Sequence, residues 1–355
     1  MSAALRPRVR ARDRSGCGDA MIRSLSVITP CFRAQSYLPT FFNAFASQTV
    51  SPAPELVLVH NQPSRDELRL VGDFVKRYRG DVRHVVVDET NAVQLDNRPG
   101  EWALETVAQS MNRAIEFASG DCLALWNVDD VRTPHSLEAE LAVLDANPDI
   151  AMTYGDIVSV CRPGDTVGTR VTSPEFSQAE FMRSCHGAFQ MWRRDLHEVV
   201  GLFDEQLRSG ADFDLWVRVA ASRPMKKTHG LLGYYLNAGL GLSTRKGGLQ
   251  PLERTVIELR YGILDKLDYR YVRSAASQYR VGELHFEGSW HPVSEFVADY
   301  EARMADAERL RPLGLRRYRV QRIEEAASAC LLWARRATRA AVRSGRRGTV
   351  GGAGR

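Results

Sequence analysis

The sequence predicts an α/β fold: a mostly parallel, Rossmann-like sheet flanked by helices, with a helical C-terminal extension. Three observations predict it. From residue 25 onward, short β-branched runs alternate with longer amphipathic segments, the pattern of successive βαβ units. The chain has 355 residues, 44% hydrophobic and 26% charged. That length exceeds the ~250–300 residues at which single cores stop growing, so a main domain with a smaller appendage is expected. Finally, three polar segments, residues 30–33, 60–64 and 127–130, follow predicted strands. Ligands of open α/β sheets bind beyond those carboxyl ends.

The elements follow in order. Residues 1–23 are Arg-rich and lack an apolar run or a period, and read as a disordered basic tail. Residues 25–29 (LSVIT) form a strand ending at Pro30, and residues 37–48 repeat apolar side chains at helical spacing. A second strand over 55–59 (ELVLV) leads through a polar turn to a helix over 66–79. Residues 82–87 form a third strand. A long polar connection, 88–100, precedes a helix over 104–118 that stops at Gly120. The fourth strand, 122–126 (CLALW), runs into Asn127-Val128-Asp129-Asp130. A helix over 134–146, a strand over 150–154 and a hairpin around 162–164 come next. Beyond about residue 262 the sheet pattern gives way to helices, with amphipathic stretches at 296–310 and 316–343. The Gly-rich tail 345–355 reads as disordered. The expected organisation is a tail over 1–23, the sheet domain over 24–250, a helical region over 251–344 and a tail over 345–355.

Composition excludes several classes of function. Net charge is +5, but Lys occurs only at 76, 226, 227, 246 and 266, leaving 43 of 48 basic residues as Arg along the whole chain. A nucleic-acid reader shows a basic stripe with interleaved aromatics, so no nucleic-acid partner is expected. The six cysteines are scattered without a CxxC pair, so free thiols are expected. No run of ~18 apolar residues spans a bilayer. The first strand is followed by no GxGxxG, and no GxxxxGK[ST] occurs, which removes the dinucleotide and Walker-type readings.

Two acidic groups could carry chemistry. Asp129 and Asp130 follow a buried strand, where carboxylate oxygens hold a hard divalent cation and leave positions for phosphate; capping of the next helix is the alternative. Asp212 and Asp214 stand two apart, so one can cap a helix over 215–221 while the other faces a ligand as a general base. His186 and His197 have no partner at metal-ligand spacing, and read as loop and helix-surface residues. Trp192 and Trp216 read as packing.

The ordered run of segments 25–33, 55–61, 112–115, 120–130, 191–194, 201–205 and 212–218 resembles glycosyltransferase family 2, whose members are inverting enzymes of the GT-A fold. The resemblance covers roughly residues 24–247. Residues 126–130, 191–196 and 241–244 are similar to a bacterial subgroup of surface-glycan assembly. The resemblance implies that Pro30, Phe32 and Arg33 meet the nucleobase and ribose, with Asn61 and Asn112 also on the donor. It places Asn127 on the ribose and Asp129 on a divalent metal, Mn2+ or Mg2+. It makes Asp212 the base, and sets Ser243, Thr244 and Arg245 in a loop closing over the diphosphate. Asn127 stands where Asp is usual, Met111 where Arg is common, and the 239–246 loop contains no His.

The expected function is therefore transfer of a sugar from a nucleotide-sugar donor, a UDP-sugar foremost, to a glycan or lipid-linked acceptor in polysaccharide or cell-envelope synthesis. Two alternatives stand beside it. One is a non-catalytic nucleotide-sugar-binding protein; the other is a sugar nucleotidyltransferase, which would want a Gly-rich loop after the first strand where residues 29–36 contain no Gly. A cytoplasmic location is expected, with peripheral contact at the inner face of the membrane through the Arg-rich stretch 316–343.

Overall fold

The computed structural model describes residues 24–88, 90, 105–178, 188–239, 241–243, 249–261, 283–286 and 289–292. The chain divides into two compact units, Met1–Ile263 and Leu264–Arg355. In the first unit β1 (Leu25–Phe32), β2 (Glu55–Asn61) and β3 (Val82–Val87) pair in parallel in the order β3-β2-β1, and β4 (Cys122–Leu125) joins β1 on its other side. The chain thus moves outward to β3 and returns across β1, which makes the gap between β1 and β4 the topological switch point.

Beyond β4 the order continues β8-β6-β9-β5. Here β8 (Met191–Arg193) runs antiparallel between β4 and β6 (Met152–Val160), while β9 (Met225–Leu236) lies parallel to β6. The short β5 (Val131–Arg132) pairs with β9, and β7 (Thr169–Val171) forms the expected hairpin with β6. The predicted α/β sheet is therefore observed, parallel in its first half and mixed in its second.

Helix boundaries follow their caps. In α2 (Arg65–Arg77), Ser64 accepts the Glu67 N–H while Glu67 accepts the Ser64 N–H, a reciprocal box that satisfies two orphan donors. Thr106 and Gln109 do the same for α3 (Val107–Phe117), which is why that helix starts three residues later than its apolar spacing suggests. α1 (Leu38–Ala46) buries Phe41, Phe42 and Phe45 against α2 and the sheet. Phe42 stacks on Phe74 at 4.3 Å, and Phe41 meets the edge of Trp126 at 5.1 Å. α4 (Ser136–Asp145) follows β5, and α5 (Leu196–Val200) follows β8.

α6 (Ala211–Ser222) begins four residues before the predicted start, so Asp212 and Asp214 both lie in its first turn and Gly210 is the N-cap. Beneath α6, Trp192 and Trp216 are fully buried with centroids 5.2 Å apart, as expected of packing residues. His197 departs from its reading as a surface residue. Its Nε2 accepts the Trp192 indole N–H at 2.9 Å, and Nδ1 lies 2.8 Å from the Gly201 carbonyl.

α7 (Gln250–Arg260) falls within the first unit. In the second unit, β10 (Glu283–Phe286) and β11 (Ser289–Pro292) form an antiparallel hairpin, where the sequence pattern had suggested only helix. The stretches 296–310 and 316–343, both predicted tails, and His186 lie outside the described residues.

Candidate functional site

Pro30 explains how the crevice opens. The ladder between β1 and β4 ends at Ile28, whose carbonyl takes the Trp126 N–H, so Pro30 points its donor-free nitrogen to the side that β4 no longer covers. The strand nevertheless continues to Phe32 on its β2 side, past the end predicted from the proline. Arg33 then turns the chain at φ 50°, with its guanidinium 5.0 Å from the centroid of the Phe32 ring. Gln62, just after β2, is also left-handed at φ 45°. Non-glycine residues in that region carry backbone strain that the surrounding structure must hold. The holding group is visible for the first of these loops: the Glu67 carboxylate accepts the Ala34 N–H at 2.6 Å.

The second wall is the turn 127–130. The Asp130 N–H closes it on the Asn127 carbonyl, and the buried Trp126 indole donates to the Asp130 carbonyl at 3.0 Å. The Asp130 carboxylate is buried and accepts the Leu236 N–H at 2.9 Å, which ties the turn to the end of β9. Asn127 also bonds this carboxylate. Asp129 is half-buried and is left as the turn's outward carboxylate. Burial pushes its carboxyl above the ordinary range, and burial together with the Asp129 charge pushes Asp130 up as well.

Asp212 enters from α6. It is partly buried and accepts the Phe213 N–H at 2.7 Å. Burial first, and then the nearby Glu253 charge, raise its carboxyl to about 6, where a base is half ionised close to neutrality. Asp214 is 1% exposed and fully committed: it pairs with Arg218 at 2.7 Å and accepts the Tyr261 hydroxyl at 2.9 Å. The two aspartates thus separate into one partly exposed and one in the core.

Tyr235, near the end of β9, links these groups. Its phenol is raised by burial first and then by the charges of Asp130, Asp129 and Asp212, so all three carboxylates act on this one side chain. Its hydroxyl lies 2.8 Å from the Ser243 hydroxyl. The structure therefore brings Asp129, Asp212 and Ser243 to one locality, whereas Thr244 and Arg245 lie outside the described residues.

Two predicted donor contacts are spent elsewhere. Asn61 is 3% exposed, accepting the Glu105 N–H at 3.0 Å and donating to Ser110 at 2.8 Å. Asn112 donates to the Phe203 carbonyl and to Glu205, and accepts the Phe203 N–H at 2.9 Å. Each side chain braces a loop, because a buried amide is costly unless its donors and acceptors are matched. Sequence reasoning missed Asp130 as the brace of the turn, together with Tyr235 and Glu253. Only Tyr235 had a local signal, as an aromatic in a run of strand-forming residues.

Could these residues hold a divalent cation? Among the described residues no three His, Cys, Asp or Glu side chains cluster as a ready-made ligand set. A hard cation that keeps phosphate and water ligands needs only one or two carboxylates from the protein. Asp129 offers one, and a cation beside it would offset the burial that raises its carboxyl. The donor set fits such an ion. Neither Cys31 nor Cys122 is a nucleophile here, since burial pushes both thiols up, Cys122 to about 12.

No protein-family profile matches the chain. Over 124 residues it is 27% identical to the uncharacterized glycosyltransferase YwdF of Bacillus subtilis (strain 168), a match covering 33% of this chain and 45% of that protein. The chain thus spans less than half the length of this relative. Among solved structures, S. aureus TarS 1–349 in complex with UDP-GlcNAc superposes with a TM-score of 0.49 at 16% identity, covering 73% of this chain and 72% of that one. The mannosyltransferase PcManGT from Pyrobaculum calidifontis, in complex with GDP-Man and Mn2+, gives 0.44 at 15% identity, covering 72% and 68%. Among the described residues no helix is long and apolar enough to cross a membrane.

Proposed function

We propose that the protein is an inverting, metal-dependent glycosyltransferase of family 2. It moves a sugar from a nucleotide-sugar donor to a hydroxyl of a glycan or lipid-linked acceptor in polysaccharide or cell-envelope synthesis. The observation that carries the reading is the pairing of a half-buried Asp129 at the switch point with a partly buried Asp212 raised to about 6, the charges of both acting on Tyr235. The 27% match to a glycosyltransferase supports the reaction class.

Pro30, Phe32 and Arg33 take the nucleoside end of the donor at the carboxyl end of β1. Asn61 and Asn112 shape that pocket from behind by fixing residue 105 and the 203–205 loop. Asn127 keeps the turn in shape through Asp130, and Asp129 holds the divalent ion, Mn2+ or Mg2+, with the donor diphosphate. When bound, that ion neutralises charge that develops on the leaving diphosphate. Ser243, held by Tyr235, sets the near end of the segment that leads to Thr244 and Arg245, which we assign to the diphosphate. Asp212 removes the proton of the acceptor hydroxyl as its oxygen forms a bond to the anomeric carbon. The bond from that carbon to the diphosphate breaks, and the electron pair leaves with the phosphate. A single displacement inverts the anomeric centre and needs no protein nucleophile.

The test is a donor screen with purified protein and Mn2+, scoring release of UDP, GDP or dTDP. Release from one donor class, lost on Asp212→Asn, is the expected result; no release and no saturable binding of any nucleotide sugar would reject the reading.

A further inference from the structure

We propose that Glu253 is a positioning residue for Asp212: its carboxylate holds the turn that enters α6 and keeps a second negative charge facing the base. The inference rests on the reading of Asp212 as the base.

The geometry is specific. Three consecutive backbone N–H groups converge on one side chain: Arg208 donates to Oε1 at 2.9 Å, while Ser209 and Gly210 donate to Oε2 at 2.7 Å each. Gly210 is the N-cap, whose N–H has no intrahelical partner, and Arg208 and Ser209 are the two loop residues before it, so the carboxylate gathers the entry to α6. Gly210 offers no side chain, so the cap is supplied from α7, 43 residues away in the chain. Glu253 is 0% exposed. Burying a carboxylate is tolerated where several N–H groups satisfy it, and a carboxylate brings two acceptor oxygens to three donors where an amide brings one.

Packing leaves the turn little freedom. A Cβ added at Gly210 would stand 3.2 Å from the Ile257 side chain and 3.4 Å from that of Glu253. The Ser209 hydroxyl is held 2.5 Å from the Gln250 side-chain oxygen, so α7 grips the turn at two points one helical turn apart. Asp212 follows Gly210 by two residues, and any shift of this turn moves the base.

The groups that act electrostatically near Asp212 come from both packed elements: Glu253 from α7, and Tyr235 from β9, on which Asp129 and Asp130 also act. Arg254 is turned onto the face of Phe213, 5.1 Å from its centroid, and Asp214 is occupied by Arg218 and Tyr261. Glu253 therefore does two things for one carboxylate: it fixes the base's place, and its charge adds to the burial that raises the base.

The experiment compares wild type with Glu253→Gln and Glu253→Asp in the full-length protein. The Asp212 carboxyl is titrated by 13C NMR, assigned with Asp212→Asn, and the pH profile of transfer is recorded alongside. In Glu253→Gln the Asp212 midpoint and the acid limb of kcat both fall by about half a pH unit, because a neighbouring like charge is gone. Glu253→Asp retains the charge but withdraws it by one methylene, and lowers kcat about tenfold with donor KM unchanged. A cap that acted only on folding would lower Tm and leave the midpoint and limb in place; that result overturns the proposal, as does wild-type kcat in Glu253→Asp. Because the NMR titration needs no substrate, it decides the coupling even if no nucleotide sugar is turned over, an outcome that would count against the function alone.

Discussion

Asp212 and Asp214 lie two residues apart in one helical turn, and their neutral variants are expected to move stability in opposite directions. Folding raises the Asp212 carboxyl from 3.8 to about 6. The folded state thus binds its proton more tightly than the unfolded chain, and stability is lost as pH rises between those values. The full difference corresponds to about 3 kcal/mol at neutral pH. Partial solvation and the favourable place of an anion in a first helical turn reduce this to about 1–2 kcal/mol. Asp212→Asn removes that cost and retains an acceptor for the Phe213 N–H, so Tm at pH 7 should rise by roughly 2–6 °C. The gain should shrink as pH falls from 6 towards 4, where the folded carboxyl is protonated, and vanish only below about pH 3, where the unfolded one is protonated as well. The same variant should lose about 10^2–10^4-fold in transfer. Asp214→Asn leaves Arg218 without its anion in the core and should lower stability by about 2–4 kcal/mol while leaving kcat per folded molecule close to wild type. Differential scanning fluorimetry across pH 4–8, with a transfer assay at pH 7.5, measures both. An Asp212→Asn variant that melts lower than wild type at pH 7, or that still transfers sugar, would refute the assignment.

Other expectations follow from the same geometry. Asp129→Ala should abolish turnover with an unchanged circular dichroism spectrum, and excess chelator should do the same to wild type; product formed at the normal rate in chelator contradicts the metal role. Arg132 and Glu140 form a fully buried ion pair, with Arg132 over Phe189 at 4.8 Å. Arg132→Met should cost about 3–5 kcal/mol by leaving a buried carboxylate uncompensated, which urea denaturation would read, and a variant of wild-type stability would show that Glu140 finds another partner. From sequence alone, residues 316–343 carry eight Arg beside Leu331, Leu332 and Trp333. Truncation after Gly314 should abolish binding to anionic vesicles at low salt, and full-length protein that never binds them ends that idea.

Strands β1 to β4 were legible because they are short apolar runs bounded by polar turns, and a parallel strand buried on both faces reads as such a run. β9 was not, although it carries Tyr235 and anchors Asp130. Lys226, Lys227 and Gly230 interrupt its alternation, Gly230 at φ +102° beside a register shift against Gly155 and Asp156. Lys227 is nonetheless buried because Asp156 pairs with it at 2.8 Å, a partnership between distant segments that no local pattern contains. Asn61 and Asn112 illustrate the converse. Their chemistry suits a ligand, but whether an amide faces a cleft or a loop depends on which backbone groups arrive opposite it. The resemblance singled out Asp212, while the commitment of Asp214 to the core emerged only with Arg218 and Tyr261 in position.

The way β9 reaches the site has a consequence for how the active protein is made. Leu236 meets Asp130 across 106 residues of chain, and Gly120 reaches Ser26 across 94, whereas the Ser26–Glu55 contact between β1 and β2 closes only 29. Loop-closure entropy must be met before such distant ladders return any contact energy, and folds dominated by them are slow to form. The β1–β2 pair is thus the entropically easier part, and the wall carrying Tyr235 the harder one. A substitution that weakens the β6–β9 ladder will reduce how many molecules reach the working form in a preparation while leaving each one that does so unimpaired. Specific activities of variants in that ladder are therefore meaningful only when normalised by titrating the competent fraction.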